Sequence, residues 1–227
     1  MKSYSFYSVI KFRDFNEMQQ LQIDDYNDIP QNPIEIKSTN SNKGEYEIFT
    51  CRYDRKKDKE GYSFFDGEYH NFNHYFTKER FDCLYSSEKA ICIFECPYKV
   101  SDLMLKEINA LESKENNTNS SIRVIKKTVD LLQVVENTHK ITGAWFSNIN
   151  QNHISSSSVY GDEVDQSDLY SQLILSGKLT AVNIVLLHKN DYYLVTISKN
   201  GSFTIRNKID TDTEVYIINQ VIKLIFD

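Results

Sequence analysis

The chain carries 26 basic and 32 acidic residues in a length of 227, for a net charge of −6 and a mean hydropathy of −0.50. That length can bury a sizeable core, but no apolar run approaches the roughly 20 residues that cross a bilayer, and the first residues lack the apolar stretch of a secretion signal, so a cytoplasmic protein without membrane contact is expected. Charge is even, with 13 basic and 16 acidic groups in residues 1–90 and the same again in 91–227, so no basic tail or domain is present to hold nucleic acid by bulk electrostatics.

Along the chain, Tyr4, Phe6, Ile10 and Phe12 alternate with more polar neighbours and predict a strand over 4–13. Residues 15–23 suit a short helix, and the polar stretch 24–44, with Pro30 and Pro33, reads as a long loop. A strand is predicted over 46–53, followed by a charged, solvated loop over 54–60. Asp66-Gly67 sits between two aromatic runs and predicts a hairpin; residues 86–89 mark a second.

After Pro97 the pattern shifts toward helix. Ser101 is placed to cap a helix carrying Leu103, Ile108 and Leu111, and residues 113–121 form a polar loop. The stripe Ile122, Ile125, Val129, Leu132 and Val135 has helical spacing and predicts a helix over 121–137. A strand over 141–146 holds the sole tryptophan, Trp145, and a Ser/Asn loop over 147–160 follows it. A helix over 165–176 ends at Gly177, expected in the left-handed conformation.

The last residues, 180–227, carry the strongest pattern. The apolar run 180–188 predicts a central strand, 192–198 an alternating one, and 202–207 a third with one wet face, an edge open to β-augmentation. Asn200-Gly201 predicts a turn with both residues at positive φ. Thr211 and Glu214 are spaced as a capping box for a helix whose stripe runs Val215, Ile218, Ile222, Ile225. The expected class is α+β: mostly antiparallel sheet with packed helices, and a C-terminal three-stranded meander closed by an amphipathic helix. The composition divides into a β-rich part, 1–97, and an α+β part, 98–227, as two units or one continuous domain.

Few residues point to chemistry. With seven glycines there is no dinucleotide or Walker phosphate loop, and Ser155–158 beside His153 lacks a nucleophile elbow. His70 and His74 could share a metal only on a helix, and their surroundings favour a strand. Asp162, Glu163, Asp165 and Asp168 fit helix capping better than a cation site, and Cys92 and Cys96 read as buried small hydrophobes. No cofactor is implied. One stretch stands out as a binding candidate for nucleic acid or an acidic partner: Arg52, Tyr53, Arg55, Lys56 and Lys57, with Tyr62, Phe64 and Phe65 nearby.

Three functions are ranked on these grounds. First is a non-catalytic interaction protein, a subunit or inhibitor binding a protein partner or a second copy, which suits the 15 tyrosines. Second is a nucleic-acid-binding accessory protein using residues 52–59, and third a metal-dependent hydrolase or nuclease. Twenty Asn and 23 Ile against 4 Ala point to an A/T-rich genome, hence a bacterial, phage or mobile-element source.

Overall fold

Period-two alternation recurs from Lys2 onward, and its product is a sheet. The computed structural model describes residues 1–13, 15–16, 34–114, 122–151 and 153–226. In chain order the elements are β1 (Lys2–Lys11), β2 (Phe15–Asn16), β3 (Ile34–Lys43), β4 (Tyr46–Phe65), β5 (Glu68–Ser86), β6 (Ile91–Phe94), α1 (Tyr98–Lys114), β7 (Arg123–Lys126), α2 (Leu131–Glu136), β8 (Ile141–Gln151), β9 (Ile154–Tyr160), a 3-10 turn (Val164–Gln166), α3 (Asp168–Ser176), β10 (Lys178–His188), β11 (Asp191–Ser198), β12 (Ser202–Ile205) and α4 (Thr211–Phe226). The strands form one antiparallel sheet in the order β2-β3-β4-β5-β6-β1-β12-β11-β10-β8-β9, with β7 beside the far end of β1. Strands from both sides of residue 97 share it, because β1 pairs with β6, β7 and β12.

The α+β expectation is therefore corrected. Strand accounts for 55% and helix for 24%, in an open sheet rather than a closed barrel, and the helices are minor. The shift has a local cause: stretches read as loop or helix pair as strands. Residues 34–43 form β3 and Phe15–Asn16 form β2; the remainder of the expected helix over 15–23 and of the loop over 24–33 lies outside the described residues, as does 115–121. Residues 54–60 continue β4, and 147–160 supply the last five residues of β8 and all of β9.

The helix expected over 121–137 is replaced by β7 and the short α2. Strand β12 covers β1 only over Lys2–Ser5, so the rest of that edge of β1 needs another partner, which Arg123–Lys126 supplies. Asp130 then starts α2 by accepting the N–H groups of Leu132 at 3.0 Å and Gln133 at 3.4 Å.

Alternation along β1 assigns the two faces. Tyr4 and Phe6 enter one core with Ile91, Ile93 and Phe203, beneath α4, α2 and α3. Tyr7 enters a second core with Cys92, Phe94, Cys51 and Cys83, beneath α1. Ser101 is an interior residue of α1 rather than its cap: α1 begins at Tyr98, and the buried Ser101 hydroxyl lies 2.7 Å from Ser5 Oγ and 3.0 Å from Tyr7 Oη. All four cysteines are free and buried, and burial pushes the Cys96 thiol up to about 12, which leaves it unreactive at neutral pH.

Three expectations for the C-terminal region are also revised. Strand β12 is no edge: it pairs with β11 on one side and β1 on the other, because Phe203 and Ile205 complete the core against Tyr4 and Phe6. Helix α4 is capped by Asp210, whose carboxylate accepts the Thr213 N–H at 2.8 Å, leaving Glu214 free to turn inward. Gly177 is extended, at φ −141°, and is small because a Cβ would meet Ile149 Cγ1 at 3.0 Å and the Ser147 carbonyl at 3.2 Å.

Gly201 is the one member of the Asn200-Gly201 pair with a positive φ, +72°. Its carbonyl accepts the Phe6 N–H at 2.7 Å, and a Cβ there would sit 2.3 Å from the Lys127 carbonyl oxygen. Gly201→Ala is expected to destabilise the fold by about 1–3 kcal/mol, from backbone strain plus that collision. Urea unfolding measures it, and an unchanged midpoint would show that the β1–β12 junction relaxes freely.

Candidate functional site

The feature that stands apart from the body is the hairpin of β4 and β5. The two strands run 20 and 19 residues and meet at Asp66-Gly67, both at positive φ, 50° and 83°. Strand β3 accompanies β4 only as far as Tyr53, and β6 accompanies β5 only over Cys83–Ser86. From Asp54 to Phe65 and from Glu68 to Lys78 the strands therefore pair with each other alone among the described residues, forming a two-stranded arm about 40 Å long. A bulge in β4 between Asp58 and Gly61 interrupts its register. Gly61 lies beneath the Phe72 ring, whose tip is 2.6 Å from where a Cβ would be, so the ring shields a strand position that has no side chain.

The end of the arm is aromatic. Tyr62, Phe64, Phe65 and Tyr69 are 75, 66, 65 and 77% exposed, and Phe64 and Tyr69 touch with centroids 5.1 Å apart. Paired residues share a face, so Tyr62, Phe64 and Tyr69 lie on the same side as Tyr75, Lys57 and Arg55. The other side carries Phe65, Phe72 and Phe76 together with His70 and His74.

The five residues singled out from the sequence divide between the root and the stem of this arm. At the root, the buried Asp54 carboxylate accepts from Arg52 Nη2 at 3.3 Å and from Arg80 Nη1 at 3.0 Å. Tyr53 is fully buried and donates to Glu107 on α1 at 2.7 Å, which ties the arm to the second core and leaves no ring face open for a base. Arg55, Lys56 and Lys57 lie farther out on the stem, where Lys56 pairs with Asp58 at 3.3 Å in solvent.

The other sequence candidates stay apart. His70 and His74 sit on one strand opposite Ser63 and Asp58, about 13 Å from each other at strand spacing. Asp162 pairs with Lys140 at 2.9 Å, Asp165 with the Gln166 amide at 2.8 Å, and Ser167 rather than an acid caps α3. No group of three or more His, Cys, Asp or Glu among the described residues is placed to hold a metal ion. No helix among them is long and apolar enough to cross a membrane.

A buried charge cluster was not foreseen from the sequence. Glu214, 2% exposed, accepts from Lys2 at 2.7 Å, from Lys43 at 2.8 Å and from the Tyr4 hydroxyl, and Lys43 also reaches Glu95 at 2.9 Å. Burial opposes the Glu214 charge, yet these donors hold its carboxyl below the ordinary range. Burial raises Glu95, against the pull of Lys43. Every oxygen of Glu214 has a donor, so the cluster acts as a clamp joining β1, β3 and α4.

A groove of about 620 Å³ beside α4 is lined in part by Glu45, Lys89 and Asn219, which bond among themselves, Lys89 to Glu45 at 2.6 Å and to Asn219 at 3.2 Å. The exposed rings of the arm belong to neither core cluster among the described residues. A legible signal did exist for them: between residues 46 and 86 the strong turn dipeptide is Asp66-Gly67, with flanks of nearly equal length. The chain matches no protein-family model and no curated protein.

Proposed function

We propose that the protein is a non-catalytic interaction protein, a subunit or inhibitor in a larger assembly, and that the β4–β5 arm is the element with which it docks. One observation carries the reading: four large rings are at least 65% exposed at the end of a ribbon that no other described strand supports. A two-stranded ribbon is marginal in water, and a contiguous cluster of exposed rings is what binding surfaces present. Tyrosine and phenylalanine then supply large contact area with few rotors to freeze. The compositional skew is the ground for expecting a bacterial or phage assembly.

The nucleic-acid alternative is less well supported. Arg52 is engaged by Asp54, the Tyr53 ring is enclosed, and residues 55–79 carry five basic and five acidic groups. The test is affinity capture from the native host with the full chain as bait, beside a Tyr62→Ser/Phe64→Ser/Tyr69→Ser variant. The variant should keep its circular dichroism spectrum and lose partner recovery by more than about tenfold, because tyrosine is a common hot-spot residue and phenylalanine is enriched in interface cores. Undiminished recovery would count against the arm as the docking element.

A further inference from the structure

The sheet ends in two edge strands of different character. Strand β2 is two residues long, whereas β9 runs seven and pairs with β8 alone among the described residues. An edge strand presents a row of unpaired N–H and C=O groups that templates another strand, and proteins blunt such rows with brevity, charge, proline or a bulge. Brevity blunts β2. Strand β9, Ile-Ser-Ser-Ser-Ser-Val-Tyr, has no charge and no proline, and its one register shift lies at the hairpin end, so pairing is regular from Ser156 to Tyr160. The outward groups follow from that register. The Gly161 N–H donates to the Thr142 carbonyl, and Tyr160 faces Gly143, so Gly161, Val159 and Ser157 bond toward β8. Ser156, Ser158 and Tyr160 therefore turn their N–H and C=O groups away from it.

We propose that two copies of the chain pair antiparallel along β9, about a two-fold axis at Ser158 perpendicular to the sheet, so that the two sheets continue into one. Main-chain groups spaced along an extended chain are matched by another extended chain, which makes the occupant a strand. A two-fold interface must supply both halves of every contact from one patch, and β9 does so. About Ser158 the outward residues meet one another: Ser158 lies opposite Ser158, and Ser156 opposite Tyr160. Like strands meet without repulsion because none of the seven residues is charged, and four serines leave clearance on both faces. The flanks are opposite in kind: His153 precedes the strand and Asp162 and Glu163 follow it, so the acidic end of each copy lies beside the imidazole of the other.

The assembly stops at two, because the antiparallel pair closes and β2 is too short an edge to extend it. A single added strand buries less than a standard interface, so the pair is weak, with a dissociation constant on the order of 10–100 µM. The contact is separate from the arm: six strands of the sheet lie between β5 and β9. It therefore goes beyond the docking reading and does not rest on it.

The experiment is sedimentation equilibrium of the full chain over a series from about 5 to 500 µM, a range that brackets the expected constant. The wild type should pass from the chain mass of 26.6 kDa to twice that value. Ser158→Pro removes an outward N–H and leaves the pairing with β8 in place, as proline does on an edge strand. It should keep the circular dichroism spectrum and melting temperature of the wild type and stay monomeric. Ser158→Lys and Ser158→Glu each set like charges opposite one another at the axis, and each alone should weaken the pair at least about tenfold. An equimolar mixture of these two should regain the dimer, because lysine then faces glutamate.

A wild type that stays monomeric throughout would overturn the self-pairing and leave β9 to a strand of another chain. A dimer indifferent to all three Ser158 substitutions would place the contact elsewhere and overturn the inference, and a mass growing beyond the dimer would do the same. If Phe64→Ser/Tyr69→Ser lowers the mass and the Ser158 variants do not, the arm is the dimer contact and β9 is not. None of these masses touches the docking reading, which stands or falls on capture by the ring variant.

Discussion

Phe203→Ala is expected to destabilise the protein by about 3–5 kcal/mol, lowering the melting temperature by roughly 6–20 °C. Phe203 is 1% exposed and stacks on Tyr4 with centroids 4.5 Å apart and on Phe6 at 4.9 Å. Tyr4 and Phe6 belong to the first strand and Phe203 to the last, so the stack is the seam that joins the two ends of the chain. Truncation removes the transfer energy of the ring, leaves a cavity and forfeits two aromatic contacts worth about 0.5–1.5 kcal/mol each. Phe203→Leu should recover more than half of the loss. Chemical unfolding monitored by circular dichroism measures both; a loss under about 1 kcal/mol for alanine would mean that the β1–β12 pairing contributes little.

The second large effect is at Glu214. Removing one member of a buried, hydrogen-bonded charge cluster strands the others, and Glu214→Ala should cost about 3–5 kcal/mol near neutral pH. Lys43, 12% exposed, would be left with Glu95 alone, and the Tyr4 hydroxyl without its acceptor. The pH dependence has a definite sign. The folded Glu214 carboxyl lies below its ordinary value of 4.5, so the unfolded chain takes up the proton first as the medium acidifies. Its contribution is complete above about pH 4.5 and is lost as the pH falls through the lowered folded value. Glu95 is raised and works in the opposite sense: it favours the fold below its unfolded value and opposes it as the pH rises through the folded one. Glu214→Gln should therefore flatten the acid limb of the stability curve relative to wild type. A variant whose stability falls below pH 4.5 as steeply as the wild type would show that Glu214 titrates normally.

Reading the sequence succeeded where a residue's conformation depends on its immediate neighbours. Asp66-Gly67 turns as expected because positive φ is tolerated there by residue type, and residues 180–188 form a central strand because an apolar run has two faces to cover. It failed where two periodicities fit the same letters. The stripe from Ile122 to Val135 has helical spacing, but the Ile and Val of 122–125 also suit a strand, and the unpaired half of β1 decides between them. Residues 54–60 read as a loop because they are charged, although they contain no Gly, Pro or Asn to break the strand; their charge reflects a ribbon wet on both faces.

The binding candidate shows the same division. The stretch 52–59 was legible as basic and aromatic, but Tyr53 and Arg52 serve the root of the arm, and the exposed rings lie farther along, at Tyr62 to Tyr69. The exposure of a ring depends on whether a neighbouring strand covers it, and β3 reaches only as far as Tyr53 along β4 while β6 reaches only as far as Cys83 along β5.

Composition, alternation and turn chemistry were accessible from the residues alone, since each is set by covalent geometry over a few positions. The neighbours of each strand were not. That β12 is interior, that β7 exists, that no other described strand accompanies the outer parts of β4 and β5 and that Glu214 turns inward all depend on pairings between segments as much as two hundred residues apart, as with Lys2 and Glu214. Backbone hydrogen-bonding capacity is the same for nearly every residue, so local sequence carries no label for a strand's partner; only the packed cores on the two faces, and the burial they reward, select one.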